Sequence, residues 1–138
     1  MAKISGLGAT IVVADSGSVA RTISNDVTDF TIATPVALQD ITGVDKSAHE
    51  KLALLRDLSV SLKGVFNSAA SFSHAVFSTI TTSATNRATS IYPTSSGSTP
   101  VMTANLLYST YNITRSASGD LTWQADGTVA DGAVPTWA

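Results

Sequence analysis

The chain has 138 residues, enough for one domain with a real core and too few for two comfortable ones. It is 43% hydrophobic and 13% charged, about half the usual charged share, which argues against wholesale disorder. Its net charge is −2 and its eight basic residues are scattered singly, so no basic stripe tracks phosphates; with no cysteine, neither a disulfide framework nor a thiolate metal site can form.

The opening "MAKISGLGATIVV" carries a lysine but no apolar run long enough for a signal peptide. No stretch approaches the roughly 20 apolar residues that span a bilayer, so a soluble, unprocessed protein is expected. "ATIVVA", Ala9 to Ala14, is the first strand candidate, and it ends at the turn "DSGS". "VARTISNDV" can return antiparallel, with Val19, Arg21 and Ile23 on one side. "DFTIATP" places Phe30 and Ile32 on one face, with Pro35 ending or edging the strand, and "VALQDITG" continues strand-like to Gly43.

Residues Asp45 to Arg56 are ambiguous. Ala48, Leu52 and Leu55 fall at helical spacing, and Asp45 could cap such a helix. Immediately afterwards Leu58, Val60, Leu62 and Phe66 face one way, while Ser59, Ser61 and Lys63 face the other, the period of a half-buried strand. Phe72, Val76 and Ile80 then predict a helix covering one open face of a sheet, with Ser68 or Ser71 as its N-cap. "SIYPTSSGSTPV" reads as a polar loop. Strand Val101–Arg115, a "SASGD" turn and an alternating strand from Leu121 to Asp126 complete the chain, with "DGT" and "DGA" as turn dipeptides.

This order predicts a mainly β fold: an antiparallel β-sandwich or distorted barrel with one flanking α-helix. Around Leu106, Leu107 and Tyr108 both faces of the long strand are apolar. A lone small domain has little reason to bury both, so these three residues are candidates for contacts between subunits.

Chemistry is hard to find. His49 and His74 are the only histidines, and no carboxylate lies between Asp57 and Asp120. No "GxSxG" elbow and no "GxxxxGK[ST]" loop is present, and "SGLGAT" follows no strand. "NIT" at Asn112 is a formal glycosylation sequon without a secretion signal. The expectation is no enzyme, no cofactor and no metal, in a subunit whose work is geometric. A carbohydrate-binding sandwich is the alternative from another class. It would need exposed aromatics from among Trp123, Trp137, Tyr92, Tyr108 and Tyr111, and Trp123 alternates inward with Leu121.

An ordered series of features is more specific than any one of them. "DVT-F" at Asp26–Phe30 is followed by a "D-TG" turn at Asp40–Gly43, "LRD" at Leu55–Asp57 and an "S-S-x-G-F" strand at Ser59–Phe66; "HA" at His74–Ala75 and "LTWQADGTVADG" come later. The series resembles the major tail tube proteins of long-tailed bacteriophages. That resemblance implies a single tail-tube-type domain over 1–138 that assembles as hexameric rings stacked into a hollow tube, the inner strands of neighbouring subunits joining around the lumen. It implies self-assembly, with tape-measure and tail-completion proteins as partners, in a virion tail built in the host bacterial cytoplasm. DNA passes through without being specifically bound, and no membrane is involved. It also implies an extended arch at about 44–57 in place of a helix, with Leu52, Leu54 and Leu55 touching a neighbouring subunit, and a polar loop at about 93–100. The chain would be a minimal subunit, without the extra C-terminal domain of some family members. Asp15, Asp26, Asp29 and Asp120, at strand ends or on polar faces, are the lumen-facing candidates. The nearest alternative is another phage structural β domain, a head-decoration or tail-terminator protein.

Overall fold

The computed structural model describes residues 5–83, 85–94 and 100–138. Ten strands are described: β1 (Thr10–Ala14), β2 (Ala20–Thr22), β3 (Val27–Ala33), β4 (Val36–Asp40), β5 (Lys51–Arg56), β6 (Ser59–Val65), β7 (Arg87–Tyr92), β8 (Met102–Arg115), β9 (Leu121–Val129) and β10 (Thr136–Trp137). One short helix, α1 (Ser73–Phe77), lies between β6 and β7 and continues as a 3₁₀ turn over Ser78–Thr81. Among the described residues the fold is therefore mainly antiparallel β with a single α-helix, the class that the alternating patterns predict.

The main sheet runs in the order β2-β1-β7-β8-β9-β6-β3, with β10 also on β8. Its two outermost strands, β2 and β3, are joined by only Ile23 to Asp26. Four residues span at most about 14 Å, so the two ends of the sheet must lie close together and the sheet must roll. Both halves then cover one core, in which Ile11 and Val13 of β1 and Ile91 of β7 meet Val60 and Leu62 of β6 and Trp123 and Ala125 of β9. Strand β8 links the halves. Its first part, Met102–Leu106, pairs with β7, while Leu106–Arg115 pairs with β9 across a bulge at Tyr108/Thr110.

The helix closes the core. Phe77 stacks within 5.1 Å of Tyr108, 5.3 Å of Trp123 and 5.7 Å of Tyr111, measured between ring centroids. Neither Ser68 nor Ser71 caps α1; Phe72 stands at the N-cap with no side-chain cap of its own. A distant residue does that work, since the buried Asp26 carboxylate accepts the Ser73 N–H at 3.1 Å and the Asn67 side-chain amide at 2.8 Å. At the other end the buried Arg87 guanidinium donates to the Val76 carbonyl and, at 2.9 Å, to the Thr79 hydroxyl. An anion at the N-terminus and a cation at the C-terminus oppose the helix dipole in the stabilising sense.

Two sequence expectations need correction here. Ser90 to Tyr92, read as the start of a loop, belong to β7, a central strand whose neighbours are β1 and β8. The rest of that loop expectation falls mostly on residues 95–99, outside the described residues. "DGT" is no turn either: Gly127 sits inside β9, where a Cβ would meet the Tyr108 ring at 2.9 Å. The glycine is there so that the ring can lie flat across the strand.

Strands β4 and β5 form a separate two-stranded hairpin. Every residue in both strands is exposed. The helix suggested by Ala48, Leu52 and Leu55 is not formed, because Lys51–Arg56 pair as a strand with Val36–Asp40. Beyond the strands, the Thr42 hydroxyl and main chain bond Asp40 and Glu50, holding the connection in a defined shape.

Candidate functional site

The most distinctive surface is one half of the rolled sheet: β3, β6, β9 and the part of β8 beyond Leu106. Alternation sorts its side chains cleanly. Phe30, Ile32, Val60, Leu62, Trp123 and Ala125 turn inward and are buried or packed against the core. The opposite face carries Asp29 and Thr31 on β3, Ser61 and Lys63 on β6, Gln124 and Asp126 on β9, and Thr110 and Asn112 on β8. Directly opposite pairs across the ladders are Asp29 with Lys63, Ser61 with Asp126, Lys63 with Gln124, Thr110 with Asp126 and Asn112 with Gln124.

This face is polar and nearly neutral, with two carboxylates and one ammonium among hydroxyls and amides. Asp126 accepts the Thr110 hydroxyl at 3.0 Å and the Gln124 amide at 3.4 Å. Partial burial pushes its carboxyl up, but hydrogen bonds from Ser61, Thr110 and Gln124, with the Lys63 charge nearby, outweigh that and hold it below the ordinary value.

The same half has two open edges. Among the described residues, no strand pairs with the outer side of β3, and none pairs with β8 on its β7 side beyond Leu106. Each edge presents a row of main-chain donors and acceptors, a template for another strand.

Sequence candidates fare unevenly against this geometry. Asp29 lies on the polar face. Asp26 does not: it is 4% exposed and holds the end of α1, so it reaches no surface. Asp15 belongs to the β1–β2 turn, where it accepts the main-chain N–H groups of Gly17 and Val19 and pairs with Arg21 at 3.1 Å. Asp120 closes the β8–β9 turn at one end of the face. Leu106 and Tyr108 are 1% and 5% exposed, core residues that no neighbour can touch, because they alternate inward on either side of Leu107. Of that trio Leu107 alone is exposed. Leu52, Leu54 and Leu55 all stand out on β5, Leu55 at 86% exposure. Lys63 and Asp126 were not singled out, although the alternation of "SVSLKGV" and "LTWQADGTV" already assigns both to one polar face.

Among the described residues no group of three potential ligands could hold a metal ion, and no helix is long and apolar enough to cross a membrane.

No family model matches the chain, and no curated protein matches it in sequence. Solved structures do. A chain from the virion of the native gene transfer agent (GTA) particle superimposes with a TM-score of 0.74 at 15% identity, covering 94% of this chain and 95% of that one. A chain from the tail of the empty GTA particle, refined helically with C6 symmetry, gives 0.74 at 15% identity, covering 94% of both. At that identity what is common is the fold, and it is common over nearly the whole length of both chains.

Proposed function

We propose that the chain is a tail tube subunit: a virion structural protein that assembles as hexameric rings, which stack into a hollow tube through which DNA passes. The observation that carries this reading is the pair of open edges on one four-stranded, polar-faced half-sheet, in a fold otherwise like that of a C6-symmetric tail. Pairing the β3 edge of one subunit with the β8 edge of the next repeats round a ring and leaves neither of these two edges open. The polar face then lines the lumen. Hydroxyls and amides with one ammonium between two carboxylates offer a polyanion no net positive wall to stick to.

The exposed hairpin fits the same assembly, reaching beyond its own domain with Leu52, Leu54 and Leu55 available to a neighbour. Its role is one of shape rather than turnover. Tape-measure and tail-completion proteins are the partners such a tube requires, and the tail of a virion is its location.

The test is negative-stain electron microscopy of the purified protein over a concentration series, with light scattering for mass. Hollow tubes of uniform width are expected. A closed ring or trimer that never stacks would replace this reading with a decoration or terminator protein.

A further inference from the structure

The main sheet is regular almost throughout. Among its described ladders the register shifts at two places only, between Val27 and Asp29 on β3 and between Tyr108 and Thr110 on β8. Each shift leaves one residue without a partner, Thr28 in the first and Ser109 in the second. The two bulged strands are the ones that carry the open edges of the polar-faced half. A bulge interrupts a ladder and pins its register.

A second copy can meet these edges in few ways. Strands β8, β9, β6 and β3 alternate in direction, so rotation about one axis sets β3 of one copy antiparallel to β8 of the next. Opposite residues share a face, so Asp29, Thr31 and Ala33 must oppose members of the set Thr110, Asn112 and Thr114. Registers therefore differ by steps of two. In one of them Asp29 faces Thr114, Thr31 faces Asn112 and Ala33 faces Thr110, and all five β3 residues after Thr28 pair without meeting a bulge. Moving Asp29 to Asn112 leaves three pairs before Ser109 interrupts, and moving the other way leaves four before β3 ends.

The side chains favour the same register. On the core side it sets Ile113 against Phe30 and Tyr111 against Ile32. Ile113 alternates inward opposite Trp123, yet it is 46% exposed, an apolar side chain that one copy alone leaves half covered. Closure favours it too. Across a single copy Asp29, Lys63, Gln124 and Asn112 stand in line, so joining Asp29 to the next Asn112 gives no stagger. Strands that close into a barrel must be staggered, and Asp29 opposite Thr114 supplies two residues per copy.

We infer that Thr28 and Ser109 are register stops, which confine the join between copies to the one alignment of Asp29 with Thr114, Thr31 with Asn112 and Ala33 with Thr110. The inference rests on the tube reading and adds to it the residues that set the stagger of the strands.

The chain's lack of cysteine makes the register measurable. Thr31→Cys is combined in one chain with Thr110→Cys, Asn112→Cys or Thr114→Cys, and each double variant is mildly oxidised at assembling concentration. Within one chain β3 and β8 are three strand spacings apart, about 14 Å, so a disulfide can only join two copies. The Asn112 combination should give a ladder of covalent oligomers at least tenfold above the other two. Deleting Ser109 makes the β8–β9 ladder regular without changing its pairs, and should let the Thr110 combination cross-link as strongly as the Asn112 one. A deletion that folds and leaves the selectivity unchanged would overturn the stops. The scan in the intact chain tests the register even if the deletion does not fold. Tubes whose cross-linking peaks at Thr110 or Thr114, or is absent, would overturn the register while leaving the tube intact. Covalent rings joined through Asn112 that never stack would support the register and remove the tube reading; neither rings nor tubes would remove both.

Discussion

The main-chain carbonyl of Asp26 occupies the space where a side chain on Gly64 would begin. Val27 pairs with Gly64 at the β3 bulge, so the chain entering β3 crosses directly over β6 at this one residue. The Trp123 indole N–H, donated to Val65 at 3.0 Å, fixes the other side of the crossing. Gly64→Ala therefore sets a methyl group against backbone that cannot rotate away. We expect a loss of about 3 kcal/mol or more in urea unfolding, with much of the protein insoluble. A loss below about 1 kcal/mol would show that the crossing relaxes.

The short helix depends on its two remote clamps more than on its own sequence. Arg87→Met keeps the length of the side chain but removes the charged donor from the Val76 carbonyl and the Thr79 hydroxyl, leaving them only the 3.2 Å hydrogen bond between themselves. We expect about 2 kcal/mol of destabilisation, most of it the cost of an unmade hydrogen bond. Near-ultraviolet circular dichroism of the Phe77, Tyr108 and Trp123 cluster should weaken at temperatures where the sheet signal survives. An unchanged aromatic signal would mean that the sheet alone orders the helix.

Acid should unfold this protein from below the ordinary carboxylate range. Hydrogen bonds from the Val19 and Gly17 main chain and from Arg21 lower Asp15, and the Ser61, Thr110 and Gln124 contacts lower Asp126. A carboxyl lowered in the folded state contributes stability that is fully present above its unfolded value of 3.8 and is lost as pH falls through the lower folded value. The urea midpoint should hold from pH 7 to about 5 and fall below pH 4. Asp126→Asn should flatten part of that acid limb. A midpoint that falls equally steeply in the variant would locate the effect elsewhere.

Alternation carried most of the fold. The inward set Val60, Leu62 and Trp123 could be read directly from the period of two, because each of those strands has one wet face. Strand β7 escaped because its buried side includes Arg87 and Thr89, polar residues satisfied only by partners distant in sequence. Leu106 and Tyr108 misled for a related reason. Three apolar residues in a row suggest two apolar faces, whereas Tyr108 lies over Gly127 in the core and only Leu107 looks out. Asp26 looked like a surface acid because nothing local reveals that it caps a helix 47 residues away. The hairpin was ambiguous because leucines at 52, 54 and 55 serve neither a core strand nor a core helix, being exposed on both faces.

Those leucines separate stability from assembly. Changing Leu52, Leu54 and Leu55 together to serine removes no core contact, so the monomer's unfolding free energy should move by less than about 0.5 kcal/mol per site. Tube yield at a fixed concentration should fall at least tenfold. A monomer destabilised by several kcal/mol would show instead that the hairpin folds back on its own domain.

The two open edges make a prediction that the hairpin does not. Along an antiparallel strand successive main-chain N–H groups point to opposite neighbours, and β3 has a neighbour on one side only. Between Asp29 and Ala33 every second amide should therefore exchange rapidly in the monomer, while those between them are held by β6. The stretch of β8 from Leu107 to Arg115 should behave likewise, held by β9 alone. On assembly the rapid set in both strands should slow together, since one ladder of hydrogen bonds between subunits satisfies both edges at once. If tubes form and only one edge gains protection, the subunits do not join through a continuous sheet. If neither does, the ring is held by side chains, and the polar face need not line a lumen at all.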